Sequence, residues 1–167
     1  MDVAETLQWS HEALAKLQVP HALIGGLALS EYGYGRFTQD VDWLIPEEHV
    51  SAVLLHFTQN GFQVFNQSED VLQLSGKGTI DFLIAKRPIS RAMIEDASYS
   101  SQLQMPVVKV EDLIGLKIQA YSNNPKRKLR DLADIQEMIE RRPDLDWNRV
   151  KFYADHFNEW ATIEALK

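Results

Sequence analysis

Two neighbouring stretches of this chain determine its fold. They are His21-Ala-Leu-Ile-Gly-Gly-Leu-Ala-Leu29 and, after a short linker, Arg36-Phe-Thr-Gln-Asp-Val-Asp-Trp-Leu-Ile45. In the first stretch an apolar run stops at Gly25-Gly26, which predicts a buried strand that turns directly into a helix over residues 27–32. In the second stretch residues 38–45 predict another strand, which Pro46 ends. A strand, a glycine turn, a helix and a second strand are typical of α/β architecture.

The second stretch also carries a pair of carboxylates. Strand side chains alternate between faces, so Asp40 and Asp42 point the same way with Cα atoms about 6.6 Å apart. Asp81 lies in another predicted strand, residues 79–85, which can pair nearby. Two like charges 4 Å apart repel by about 4 kcal/mol at an effective dielectric constant of 20. Mg²⁺ turns such repulsion into coordination, so we expect a metal site at Asp40, Asp42 and Asp81. The alternative is a pair of solvated residues where a strand leaves a turn.

The glycines and the linker supply groups that suit phosphate. Gly25 and Gly26 let the backbone approach a triphosphate closely, and the following helix start offers free N–H groups. The planar guanidinium of Arg36 can clamp a phosphate, and the Thr38 hydroxyl can hydrogen-bond to one. The alternatives are a tight strand-to-helix turn for the two glycines and surface strand positions for Arg36 and Thr38.

The remaining sequence predicts an α/β half followed by a helical half. The N-terminal half adds helices over residues 3–17 and 47–60 and strands over 62–65, 71–74 and 79–85, with a hairpin turn at 76–78. From about residue 111 onward every segment is helical in pattern, including helices over 124–140 and 146–156. We therefore expect an α/β core with its N-terminal helix over residues 1–108. A helical region over residues 109–167 packs on that core to give a single compact unit.

The helical half contains a second group of charged candidates. Lys117 is flanked by apolar residues, which predicts that it projects from a helix packed on the core. Asp131 and Asp134 are three residues apart and share a helix face. Lys117 can neutralise a phosphate while Asp131 orients it. The alternative is a salt bridge between two helices.

Charge and composition restrict the classes of function. The formal net charge of −7 argues against a protein that coats nucleic acid. One basic cluster remains as a candidate RNA contact or a solvated helix start: Lys126, Arg127, Lys128 and Arg130. No apolar run reaches the roughly 20 residues that span a bilayer, so we expect no membrane contact. The N-terminal residues lack the pattern of a secretory signal, which makes the cytoplasm the expected compartment.

Together these motifs resemble the nucleotidyltransferase superfamily that includes DNA polymerase β and kanamycin nucleotidyltransferase. Within it, the chain is most similar to the small bacterial branch related to abortive-infection and toxin–antitoxin nucleotidyltransferases. The resemblance covers residues from about 20 to 140. It rests on Gly25-Gly26, on Arg36-x-Thr38-x-Asp40-x-Asp42, on Asp81, and on the late segment from Glu111-Asp112-Leu113 through Lys117 to Arg130-Asp131-x-x-Asp134.

The resemblance implies a mixed sheet flanked by helices, followed by a helical region. It also implies transfer of NMP from an NTP to an acceptor hydroxyl or phosphate, with Mg²⁺ or Mn²⁺ as the cofactor. Its implied metal ligands are Asp40, Asp42 and Asp81, and Asp81 also acts as a general base. Its implied phosphate-binding residues are Gly25 and Gly26, and Lys117 and Asp131 match the late motif of the branch.

The chain departs from the family pattern twice. Gly26 replaces the serine of the superfamily's Gly-Ser, which removes one hydroxyl contact. Arg130 stands where the branch often has lysine before aspartate.

Three functions are consistent with these residues. The first is a toxin-type enzyme that modifies RNA or protein and has a cognate antitoxin or partner protein. The second is an enzyme that inactivates an aminoglycoside- or lincosamide-like antibiotic. The third is a non-catalytic binding module that retains the fold.

Overall fold

The computed structural model describes all residues, 1–167, and they form two compact units. The first unit consists of residues 1–31 and 35–108, and the second of residues 32–34 and 109–167. The first unit contains a mixed seven-stranded sheet with helices, and the second is helical. The predicted α/β class is confirmed.

The first unit has seven strands and four α-helices. The strands are β1 (Ala22–Ile24), β2 (Asp40–Pro46), β3 (Phe62–Gln67), β4 (Val71–Gly76), β5 (Thr79–Ala85), β6 (Ser98–Ser100) and β7 (Met105–Val107). The helices are α1 (Val3–Lys16), α2 (Gly25–Glu31), α3 (Val50–Gln59) and α4 (Pro88–Glu95). A 3-10 turn, Glu47–His49, leads into α3.

Strand β2 lies at the centre of the sheet, whose order is β3-β4-β5-β2-β1-β7-β6. It runs parallel to β5 on one side and antiparallel to β1 on the other. Its C-terminal part, Trp43 to Ile45, is fully buried, whereas Asp40 and Asp42 near its start are half-buried. The apolar part of β2 therefore anchors the strand in the core while its acidic part reaches the edge of that core.

Helix α1 is fixed to the same strand. Asp2 and Glu5 form a reciprocal capping box at its N-terminus. From its buried face, Ser10 accepts a hydrogen bond of 2.9 Å from the indole nitrogen of Trp43. This bond satisfies the polar atom of a fully buried tryptophan, which removes the desolvation penalty of an unpaired donor.

The strands and helices expected for the first 85 residues are present, with shifts of one or two residues at their ends. Helix α2 begins at Gly25 rather than at residue 27. Our sequence-based predictions assign no element to residues 86–110, where the structure has α4, β6 and β7. Strands of three residues are too short to show a period of two, and Pro106 lies within β7, where proline argues against a strand.

The second unit contains four α-helices. They are α5 (Val110–Asn123), α6 (Lys128–Arg141), α7 (Trp147–His156) and α8 (Trp160–Glu164), and a 3-10 turn, Pro125–Arg127, precedes α6. Asp112 on α5 is fully buried and accepts two hydrogen bonds from the Arg149 guanidinium on α7, at 2.6 and 2.8 Å. Tyr153 donates a third to the same carboxylate. A paired carboxylate thus joins α5 to α7.

No helix of the structure is both long enough and apolar enough to cross a lipid bilayer.

A hydrogen-bonded pair of histidines, His11 and His21, packs against the Trp43 ring. His11 Nδ1 is 2.8 Å from His21 Nε2, and His21 Nδ1 is 2.7 Å from the Val19 carbonyl oxygen. A carbonyl only accepts, so His21 donates through Nδ1 and, when neutral, accepts at Nε2 from His11. Burial lowers the pKa of both rings; the Val19 hydrogen bond opposes this at His21, and nearby Glu12 opposes it at His11.

We expect the free energy of unfolding to fall as the pH is lowered from 7.5 to 5.5. The unfolded chain takes up protons at ordinary histidine pKa values near 6.5, whereas the folded pair resists protonation, so acid favours the unfolded state. Urea unfolding at several pH values measures this dependence. His21→Asn keeps a donor for Val19 and should weaken the dependence, while His156→Gln, at an exposed position, should retain it. An unchanged dependence in His21→Asn would contradict this assignment.

Candidate active site

The sheet register brings Asp42 and Asp81 side by side. Asp42 on β2 is the direct partner of Asp81 on the parallel strand β5, and Asp40 is the partner of Thr79. Registered residues on adjacent strands share a face and are about 4.8 Å apart, so the two carboxylates project from the same side of the sheet. Asp40 shares that face, two residues before Asp42. All three aspartates are half-buried.

The Asp81 carboxylate has one satisfied oxygen and one unsatisfied oxygen. Its Oδ2 accepts a hydrogen bond of 2.9 Å from Gln73 Nε2. Its Oδ1 is buried and has no hydrogen-bond partner. Burial raises the pKa of Asp81, the Gln73 hydrogen bond lowers it, and the charge of Asp40 raises it. A buried carboxylate oxygen without a partner is costly unless a cation or a hydroxyl group completes it.

Gly25 lies directly against the Asp42 carboxylate. Its φ angle is +69°, and a Cβ atom placed on it would lie 2.1 Å from Asp42 Oδ2. A side chain at this position would therefore meet both an unfavourable backbone conformation and a hard steric clash. The turn between β1 and α2 requires glycine because the backbone itself forms one wall beside the carboxylate.

The linker residues lie beside the first turn of α2. A Cβ atom on Gly26 would lie 3.1 Å from both Cβ and Oγ1 of Thr38. The Thr38 hydroxyl donates a 3.3 Å hydrogen bond to the Asp40 carbonyl oxygen. Arg36 is half-buried, and Phe37 between them is 86% exposed. The predicted residues Gly25, Gly26, Thr38, Asp40 and Asp42 thus form one connected group.

Chemically, the acidic group fits a divalent cation that shares its ligands with a substrate. No group of three or more His, Cys, Asp or Glu side chains is arranged to hold a metal ion by itself. Mg²⁺ characteristically takes one or two carboxylates and completes its shell with water and substrate phosphates. The Asp42 carboxylate and the unpartnered Oδ1 of the neighbouring Asp81 would provide that partial shell.

The charged candidates of the second unit form a buried network. Lys117 Nζ on α5 lies 2.7 Å from Asp134 Oδ2 and 3.4 Å from Asp131 Oδ1, both on α6. Asp131 also pairs with Arg127, at 3.0 Å. Lys117, Asp131 and Asp134 are almost fully buried. The charges of Lys117 and Arg127 thus balance those of Asp131 and Asp134. The link between α5 and α6 is the helix–helix salt bridge given above as the alternative to phosphate binding. A contact of Lys117 with phosphate stays a prediction.

The basic cluster is partly committed to carboxylates. Arg127 pairs with Asp131, and Lys128 Nζ lies 3.1 Å from Glu159 Oε1. Lys126 and Arg130 are exposed. RNA contact through this cluster stays a prediction, with two exposed cations as its main support.

Comparison with models of known protein families assigns the chain to a family. Residues 12–166 match the model of the family described as "Nucleotidyl transferase AbiEii toxin, Type IV TA system". The chain belongs to this family. It is therefore a nucleotidyltransferase, and the resemblance inferred from its motifs is confirmed, including its toxin–antitoxin relation. A comparison with curated proteins finds no match.

Solved structures show the same fold in other nucleotidyltransferases. The solution structure of the antibiotic-resistance factor ANT(2'')-Ia is 15% identical with a TM-score of 0.66, over 99% of this chain and 97% of that one. The lincomycin-bound lincosamide antibiotic adenylyltransferase LnuA is 13% identical with a TM-score of 0.55, over 68% and 85%. An antigenic nucleotidyltransferase-like protein from Paracoccidioides brasiliensis is 16% identical with a TM-score of 0.59, over 99% and 91%. At these identities the likeness concerns the fold.

Gln73 is the residue of this site that the sequence did not reveal. It lies in the stretch Val71-Leu-Gln-Leu74, where it appears as an ordinary outward-facing strand residue. Its importance depends on the antiparallel pairing of β4 with β5, which places it opposite Asp81. Only a correct strand register, which the hairpin turn at residues 76–78 indicated, could have pointed to it.

Gly25→Ala is expected to destabilise the protein by about 1–3 kcal/mol, because it combines a strained φ angle with a clash against Asp42. We also expect loss of NTP binding, since the turn must move away from the carboxylate. Gly35→Ala is the matched control: a Cβ atom there meets nothing within 4 Å. Urea unfolding and calorimetry measure the two effects. Equal behaviour of the two variants would show that the β1–α2 turn tolerates a side chain.

Asp81→Asn should leave the metal-free protein at least as stable as wild type. The substitution removes a partly desolvated charge, and the asparagine oxygen can still accept from Gln73. Thermal unfolding in EDTA measures this, with Asp70→Asn, whose side chain is 79% exposed, as the control. A melting temperature several degrees below wild type for Asp81→Asn alone would mean that this charge stabilises the fold.

Proposed function

We propose that this protein transfers NMP from an NTP to an acceptor in a Mg²⁺-dependent reaction, as a toxin-type enzyme. The observation that carries the proposal is the unpartnered, buried Oδ1 of Asp81 beside Asp42 on the adjacent parallel strand. A buried carboxylate oxygen without a partner is costly, and a divalent cation or an acceptor hydroxyl would satisfy it.

In this proposal Asp40, Asp42 and Asp81 would hold the metal together with the substrate phosphates. The metal would supply neutralisation of the charge that develops on those phosphates. Mn²⁺ can take the same place, because it accepts the same oxygen ligands. The backbone at Gly25 and Gly26 receives the phosphates, and Arg36 and Thr38 add contacts to them. The late motif of the family contains Lys117 and Asp131. In this proposal Lys117 would neutralise a phosphate and Asp131 would orient Lys117.

The proposed reaction is an in-line displacement at the α-phosphorus of the NTP. The acceptor oxygen attacks the α-phosphorus, the bond to the bridging oxygen breaks, and pyrophosphate leaves. The proton of the acceptor hydroxyl goes to Asp81.

Family membership favours a toxin-type role with an antitoxin as partner. We infer that the acceptor is RNA or protein. For RNA, the exposed Lys126 and Arg130 are the candidate phosphate contacts, against a net charge of −7. A second candidate is an antibiotic acceptor, since the fold matches that of ANT(2'')-Ia over nearly the full length of both chains.

Transfer of label from α-³²P-NTPs tests the proposal. Wild-type protein is incubated with Mg²⁺ and each NTP, together with total RNA, total protein, or a panel of aminoglycosides and lincosamides. We expect labelled RNA or protein. Labelling should fall by orders of magnitude in Asp42→Asn, which lacks a proposed metal ligand, and in EDTA, which removes the metal. Asp70→Asn should label as wild type does.

Each outcome has a distinct meaning. Label found only on an antibiotic would replace the toxin-type proposal with the antibiotic one. Full activity of Asp42→Asn would refute the assigned metal site. No label on any acceptor, from folded wild-type protein that also fails to bind NTP, would refute transferase activity of this chain alone.

A further inference from the structure

We propose that Gln73 is a positioning residue for the transfer reaction, and that Asn66 stabilises its amide by donating to the carbonyl oxygen. Gln73 holds Asp81 so that one oxygen only, Oδ1, is presented to the metal and the acceptor. This inference rests on the proposed function, since Asp81 has a role to be positioned for only if transfer takes place.

Four residues, which include Gln73 and Asn66, lie in one row across the sheet. Asn66 on β3 is the register partner of Gln73 on β4, which is the partner of Asp81 on β5, which in turn is the partner of Asp42 on β2. Registered residues share a face, so the row presents four polar side chains in succession on one side of the sheet.

Hydrogen bonds link the row in one direction. Asn66 Nδ2 donates to Gln73 Oε1 at 3.0 Å, and Gln73 Nε2 donates to Asp81 Oδ2 at 2.9 Å. A flipped Gln73 amide would turn its carbonyl oxygen toward the Asp81 carboxylate, which only accepts when ionised, and would turn its NH₂ group toward the NH₂ group of Asn66. The ionised Asp81 carboxylate therefore requires the NH₂ group of Gln73, and Asn66 stabilises that orientation by donating to the Gln73 carbonyl oxygen.

A β-bulge brings Asn66 into this row. The pairing of β3 with β4 runs from Val64 opposite Leu74 to Asn66 opposite Gln73, so Phe65 is an extra residue. In an unbulged continuation Phe65 would stand opposite Gln73, and a phenyl ring cannot orient an amide. The bulge exchanges that ring for a hydrogen-bonding group, and Phe65 is left 76% exposed.

The result of this chain of bonds is the asymmetry of Asp81. Its Oδ2 is held by Gln73, so the carboxylate cannot rotate freely, and its Oδ1 stays buried without a partner. Holding one oxygen while leaving the other open is the arrangement that a general base and metal ligand needs.

Two substitutions at Asn66 separate orientation from packing. Asn66→Asp presents only acceptors, so it competes with Asp81 for the Gln73 NH₂ group. Asn66→Ala removes the link without adding a competitor. We expect kcat to fall by about 10–100-fold in Asn66→Asp and by less in Asn66→Ala, with KM for the NTP within about twofold of wild type.

The matched control is Gln63→Asp, which places the same new charge on the same exposed strand outside the row. A Mn²⁺ titration followed by electron paramagnetic resonance gives a second readout that does not depend on turnover. Asn66→Asp should weaken Mn²⁺ binding by about 10-fold or more. Gln63→Asp should not, and melting temperatures should stay near wild type because both residues are exposed.

The outcomes distinguish the inference from the function on which it rests. Transfer by wild type, with equal kcat and Mn²⁺ affinity in Asn66→Asp and Gln63→Asp, would overturn the role of Gln73 and leave the proposed function standing. A larger loss in Asn66→Ala than in Asn66→Asp would also overturn it, because packing rather than orientation would then matter. Absence of transfer by wild type would refute the proposed function and, with it, this role.

Discussion

Repulsion between carboxylates on adjacent strands is the constraint on which the site depends. Asp42 and Asp81 are register partners on β2 and β5, and the charge of Asp40 acts on Asp81 as well. Like charges this close, in a half-buried place, oppose folding. The buried apolar part of β2 from Trp43 to Ile45 supplies the burial that holds the strand in register against this repulsion. The core thus maintains an arrangement that a bound cation would relieve.

The surrounding structure keeps one side of this carboxylate pair open and the other fixed. Gly25 brings bare backbone against Asp42, where a side chain would fill the space. Gln73 binds the far oxygen of Asp81. In the second unit, by contrast, every carboxylate of the Lys117 network faces a cation. The Lys117 network is thus balanced in charge, whereas Asp81 has no cation beside its unpartnered oxygen, and this difference favours the sheet as the place of the proposed chemistry.

Much of this was predictable because local signals and global fold agree. Gly25-Gly26 after an apolar run, and Asp40-x-Asp42 in a strand closed by proline, each imply one local structure, and the fold and family followed from them. The elements between residues 86 and 110 could not be predicted, because strands of three residues are too short to show alternation between apolar and polar side chains. The role of Gln73 could not be predicted either, since its partners are set by strand pairing and by a β-bulge. The packing of a helical region, residues 109–167, on a core of residues 1–108 as a single compact unit remains a prediction, and so do the roles of the site residues.

The most direct measurement is calorimetric titration of ATP, GTP, CTP and UTP into the protein, with and without Mg²⁺, beside the variant carrying both Asp40→Asn and Asp42→Asn. If these carboxylates and the glycine turn form a metal-assisted triphosphate site, at least one NTP binds wild type only with Mg²⁺. The folded double variant should then lose that binding. Equal binding by both proteins, or binding that ignores Mg²⁺, would contradict the account.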